Sequence, residues 1–145
     1  MAKTLYTAEA QVTGGRDKGH GKTTDGALEV DLRVPAEMGG DGGGTNPEQL
    51  FAVGFASCFE SALGVMSRRQ RLESGDATID SKVHLHPTQA GGFELSVSLD
   101  VSLPSIEDAA AAVELVKAAH QVCPYSNATR GNIDVRLTAN GQAVD

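Results

Sequence analysis

Asn46-Pro-Glu-Gln-Leu-Phe-Ala-Val-Gly-Phe-Ala-Ser-Cys58-Phe-Glu-Ser-Ala-Leu-Gly-Val-Met66 is the longest apolar run of this 145-residue chain, and it holds one of only two cysteines. Asn46 can accept from the first free backbone N–H groups of a helix, and Pro47 at the first helical position gives up no useful donor. The pattern predicts a helix from here to about Leu72. Its apolar residues fall on every face, the mark of a helix covered all round. The remaining segments are then read as what covers this helix and what approaches Cys58.

Working outward, the segments before the helix read as strands. Thr4 to Thr13 alternates imperfectly, Lys22 to Thr24 is short, and Ala27 to Val34 puts Leu28, Val30, Leu32 and Val34 on one face. Asp25-Gly26 between the last two is a hairpin turn signal. Between the first two lies a glycine-dense polar loop, Gly14 to Gly21, carrying Arg16. After the helix, Ala77 to His86 and Phe93 to Leu103 alternate, the latter most cleanly. Ser105 with Asp108 resembles a capping box opening a helix from Ile106 to about Gln121, which Pro124 stops just after Cys123. Ile133 to Ala139 closes the chain as a strand. The order predicts a single α+β domain, 1–145. A long helix apolar all round needs more cover than six short strands and one helix supply, so a homodimer is expected.

Composition excludes several function classes. A formal charge of −7, no tryptophan and 4% aromatic residues argue against nucleic-acid binding, which rests on phosphate neutralisation and base stacking. The N-terminus lacks an apolar signal core, and Ser57 and Glu60 make the central helix too polar for an unbroken membrane span. A cytoplasmic location is expected, where two cysteines are reactive or buried rather than a structural disulfide. Gly-His-Gly-Lys22-Thr23 lacks the glycine a phosphate loop requires, since Arg16 occupies that position. His84 and His86 share a strand face, and His120 is three residues from Cys123, but no compact set of four metal ligands exists.

Cys58 and Cys123 remain as candidates. Either alone is well explained as a small apolar filler. Together they lie on the two predicted helices, and helices packed on one sheet are about 8–10 Å apart. A thiol must ionise to attack, which apolar burial opposes, so a cation is required. Arg16 is the only arginine in the first 32 residues, although spacing alone explains it equally as an exposed loop charge.

The motifs around both cysteines carry a resemblance. Asn46-Pro-Glu48 through Cys58-Phe, together with Val122-Cys123-Pro-Tyr-Ser126, resemble the two cysteine motifs of the OsmC/Ohr family. The second motif, the Gly14-Gly15-Arg16 loop and the opening Leu5-Tyr-Thr-Ala-Glu-Ala10 resemble its organic hydroperoxide resistance branch. The resemblance implies antiparallel-type sheets wrapped around a long central helix in an intertwined cytoplasmic homodimer. It further implies a thiol peroxidase for organic hydroperoxides, with Cys58 peroxidatic and Cys123 resolving. Arg16 then holds the thiolate and the peroxide, and Glu48 orients Arg16. No bound cofactor or metal is implied. Dihydrolipoyl groups of lipoylated proteins are the implied external reductant. Alternatives are a peroxidase of broader specificity and a cysteine-pair redox sensor.

Guanidinium chemistry fits the arginine's role, being permanently charged and able to bond a carboxylate and a sulfur anion together. Phe51, Phe55, Phe59 and Met66 are candidates for an apolar approach that favours alkyl or fatty-acid hydroperoxides, though core packing explains any one of them as well. A straight helix would separate Glu48 from Cys58 by about 15 Å. Ser57-Cys58-Phe59-Glu60 resembles a second capping box, which predicts a break between Gly54 and Ser57 with the thiol in a new first turn.

Overall fold

The computed structural model describes residues 2–145, which divide into two compact units, 2–50 and 51–145. The first unit is a three-stranded antiparallel sheet of β1 (Ala10–Thr13), β2 (Gly19–Thr23) and β3 (Glu29–Leu32), in that order. Its register pairs Val12 with Gly21 and His20 with Asp31. The Asp25-Gly26 turn joins β2 to β3 as expected: Asp25 Oδ1 accepts from Thr23 Oγ1 at 2.7 Å and from the Ala27 N–H at 2.9 Å. The first strand is shorter than its sequence pattern predicts. Residues 4–9 are outside the sheet, with Leu5 92% and Tyr6 78% exposed. Gly19, His20 and Gly21, read from sequence as loop, belong to the central strand of this sheet, and a β-carbon on Gly19 would collide with the Gly15 carbonyl oxygen, so glycine permits the close backbone approach there.

A helix α1 (Pro47–Gln70) begins where the sequence predicts, and Asn46 Oδ1 accepts from the Gln49 N–H at 2.8 Å. It corrects two expectations. First, it runs without interruption through Gly54 and Ser57, so no second helix starts at Cys58. A β-carbon on Gly54 would lie 2.9 Å from Tyr125 Oη. The glycine makes room for an aromatic ring rather than breaking the helix. Second, only one stripe is buried within the chain, at Phe55, Phe59, Ala62, Leu63 and Ser67, while Val53 is 71% exposed. By length and composition alone α1 could cross a membrane, with a mean hydropathy of 1.5, contrary to the sequence expectation. Its buried stripe instead packs into a protein core.

The second unit adds a four-stranded sheet ordered β4 (Thr78–Pro87), β5 (Phe93–Ser102), β6 (Val135–Ala139), β7 (Gln142–Val144). β5 behaves as its alternation predicts, burying Val97, Leu99 and Val101. Its pairing with β6 is parallel, a departure from the antiparallel expectation. Parallel neighbours need a long crossover, and α2 (Ala109–Val122) and α3 (Pro124–Thr129) provide it. Asp108, not Ser105, caps α2, accepting from the Ala110 and Ala111 N–H groups. Ser105 is engaged elsewhere, donating to Asp76 Oδ2 at 2.7 Å. Pro124 does end α2, but it also occupies the first position of α3, where its missing N–H costs nothing. β7 follows Asn140-Gly141, both at positive φ, a hairpin signal present in the sequence.

Candidate active site

In the first unit, the β1–β2 loop carries Arg16 at its tip. Gly14 adopts φ +83°, and a side chain on Gly14 would collide with the Lys18 carbonyl, so the tight loop requires glycine there. Arg16 meets Glu48 in a two-point ion pair: Nη2 donates to Oε1 at 2.8 Å and Nη1 to Oε2 at 3.2 Å. This fork geometry is specific to guanidinium and carboxylate. Glu48 is largely buried at 15% side-chain exposure, and Arg16 keeps 46%. One face of the cation therefore remains open to a further anion while its orientation is set.

In the second unit, Cys123 Sγ lies 3.6 Å from Cys58 Sγ, with both cysteines free. Cys58 is half-buried in the middle of α1. Cys123 is fully buried at the joint between α2 and α3. The two predicted helices thus bring the thiols closer than generic helix packing suggests. Burial is the main cause pushing the Cys58 thiol above its ordinary value, and neighbouring Cys123 adds to it. The Tyr125 backbone N–H opposes this by hydrogen-bonding the Cys58 sulfur. With α1 continuous, Cys58 does not sit in the first turn of its own helix; the N–H that opposes the rise belongs to Tyr125, in the first turn of α3.

Aromatic residues surround this joint. Tyr125 stacks on Phe51 with ring centroids 5.9 Å apart and tilts against Phe55 at 5.6 Å. Of the four residues expected to form an apolar approach, Phe55 and Phe59 have no exposed surface and belong to the core. Phe51 and Met66 are partly exposed at its margin. Of these two partly exposed residues, Phe51 is the one stacked on Tyr125. Sequence reasoning missed Tyr125 itself, which is 37% exposed. The Val122-Cys-Pro-Tyr motif contained it, and Pro124 was the available signal that a helix would aim its first turn.

The other polar clusters have simpler roles. His86 Nε2 is 2.8 Å from Ser96 Oγ on the open face of the sheet. Among the described residues no group of three or more His, Cys, Asp or Glu side chains is placed to hold a metal. His20 bridges Asp31 and Glu29 on the surface of the first sheet at 2.9 and 2.8 Å.

The OsmC-like protein family profile matches residues 39–138. An organic hydroperoxide resistance protein of Xanthomonas axonopodis pv. citri is 51% identical over 138 residues, covering 94% of this chain and 95% of that protein. The crystal structure of an organic hydroperoxide resistance protein from Legionella pneumophila is 50% identical with a TM-score of 0.88, covering 93% and 97%. One from Vibrio cholerae, with captopril in one of its active sites, is 46% identical with a TM-score of 0.92, covering 98% and 96%. With its mixed α+β architecture, central helix and two sheets, the chain belongs to the OsmC family, in the organic hydroperoxide resistance branch.

Proposed function

We propose that the protein is a cysteine-based peroxidase that reduces organic hydroperoxides to alcohols. The observation that carries this reading is the pair of free thiols 3.6 Å apart, one half-buried and one fully buried. The Cys58 thiolate attacks the distal peroxide oxygen. An S–O bond forms, the O–O bond breaks, and the alkoxide leaves as the alcohol after taking a proton. Cys123 then attacks the sulfenic sulfur, forming the Cys58–Cys123 disulfide and releasing water. Two thiols of a dihydrolipoyl group, carried by a lipoylated protein, reduce this disulfide and become the lipoyl disulfide. The cycle requires no bound cofactor. It requires a compartment where thiols are kept reduced, which is the cytoplasm.

Arg16 is proposed to stabilise the thiolate and the bound peroxide, with Glu48 fixing its fork. Glu48 and Cys58 are ten residues apart on one continuous helix, an axial rise of about 15 Å. A homodimer resolves this spacing if the Arg16–Glu48 pair of one copy serves Cys58 of the other. Several surfaces support a second copy. Leu5, Tyr6 and Val53 are highly exposed. A groove of about 540 Å³ between the outer face of α1 and β4 is lined by Val53, Ala56 and Ile79. The buried Ser81 hydroxyl in that groove has no partner. The partly exposed Phe51 and the Tyr125 ring favour an alkyl or fatty-acid group over a small polar peroxide.

The test is steady-state turnover with dihydrolipoamide, comparing an alkyl hydroperoxide with hydrogen peroxide. Sustained consumption with the alkyl substrate preferred is expected. A single oxidation without turnover would point to a redox sensor instead.

A further inference from the structure

Among the described residues, Ser126 is the only polar side chain with no exposed surface, and the two-cysteine cycle gives it no task. Its hydroxyl lies 2.8 Å from His120 Nδ1. His120 is three residues before Cys123, and Ser126 three after, so their bond spans the corner at which the resolving thiol sits. Cys123 is the sole residue between α2 and α3, in an extended conformation with φ −65° and ψ 123°. Two dihedrals there set the angle between the helices. Arg130 braces the same corner, donating to the His120 carbonyl oxygen and to Asn127 Oδ1 at 2.7 Å. Burying a hydroxyl costs free energy unless it is bonded, and His120 provides the partner.

We propose that Ser126 and His120 are positioning residues whose hydrogen bond, braced by Arg130, holds the Cys123 sulfur against Cys58. The proposal rests on the two-cysteine cycle given above. In the condensation, Cys58–SOH and Cys123–SH yield the disulfide and water, and the sulfurs close from 3.6 Å to a bond of about 2.05 Å. A corner held at the right angle keeps the attacking thiol at high effective concentration, whereas a free hinge dilutes it over many orientations.

The experiment equilibrates the full-length protein with glutathione redox buffers. Glutathione disulfide is reduced to two glutathiones as Cys58 and Cys123 are oxidised to their disulfide, and the equilibrium constant reads the effective concentration of one thiol at the other. Ser126→Ala and His120→Leu are each expected to lower it about tenfold, the scale of one net hydrogen bond. His120→Asn, whose amide reaches the position of Nδ1, is expected to stay within about threefold of the parent. The measurement is made where unfolding curves show each variant folded, and His120→Leu carries the test if Ser126→Ala does not fold. Parent-like constants for the first two variants, or His120→Asn as low as His120→Leu, would overturn the proposal. Because glutathione replaces the peroxide, a parent protein that fails to turn over hydroperoxides would sink the peroxidase reading without touching this result.

Discussion

Cys123 Sγ lies 3.6 Å from Cys58 Sγ, although 65 residues separate them in the chain. In the proposed cycle, Cys123 at this distance would intercept a Cys58 sulfenic acid before a second peroxide reaches it. Cys58→Ser should reduce hydroperoxide consumption by about a thousandfold or more. Cys123→Ser should retain the first oxidation and accumulate sulfinic acid at Cys58 under excess peroxide, read by intact mass. Disulfide-free cycling of Cys123→Ser at the parent rate would contradict the resolving role.

The Arg16–Glu48 fork predicts graded effects. Arg16→Ala should move the Cys58 thiol titration upward and slow the reaction with an alkyl hydroperoxide by about 100-fold, as expected for loss of a transition-state donor. Arg16→Lys, which keeps the charge and loses the fork, should fall between. Glu48→Gln should act in the same direction and more weakly. Thiol titration followed by thiolate absorbance checks the first effect, and an unchanged titration in Arg16→Ala would remove the arginine from the site.

Gly54→Ala sets helix propensity against packing. Alanine in a helix interior gains about 1 kcal/mol over glycine. The added methyl would meet Tyr125 Oη at 2.9 Å and Cε2 at 3.3 Å, and Phe51 and Phe55 flank that ring. Overpacking of this kind costs about 1–3 kcal/mol. Net destabilisation of about 1 kcal/mol is expected in chemical denaturation. Displacing Tyr125 should also disturb its N–H bond to Cys58 and raise the thiol titration further. A stabilised variant with an unchanged thiol would mean that the ring yields freely.

His20 and His120 should titrate on opposite sides of the ordinary 6.5. Hydrogen bonds to Asp31 and then Glu29 raise His20. Its contribution to stability is therefore full below 6.5 and is lost as pH rises through the raised value. Burial first, and Arg130 second, lower His120. Its contribution is full above 6.5 and is lost as pH falls through the lowered value. Imidazole NMR titration separates the two, and Ser126→Ala should shift His120 alone.

Short-range features of the fold were legible before any coordinates. The Asn46 cap, the Asp25-Gly26 hairpin and the burial of alternate residues along β5 depend on neighbours within a few positions. Asn140-Gly141 and Pro124 are equally local signals, for β7 and α3. The Gly54–Ser57 break was read into a glycine whose purpose is steric, because nothing local reveals that Tyr125, 71 residues later, needs the space.

For this protein the sequence by itself determined the helix beginning at Asn46, the strand periods and the motifs that carry the family. Those follow from dihedral preference, capping and period, which act along the chain. Tertiary structure alone decided that the two sulfurs meet and that Arg16 is gripped by Glu48, 32 residues away. It also decided that α1 is continuous and that β5 and β6 run parallel. Each of these is settled by contacts between distant segments, where burial and packing volume outweigh what any one segment prefers.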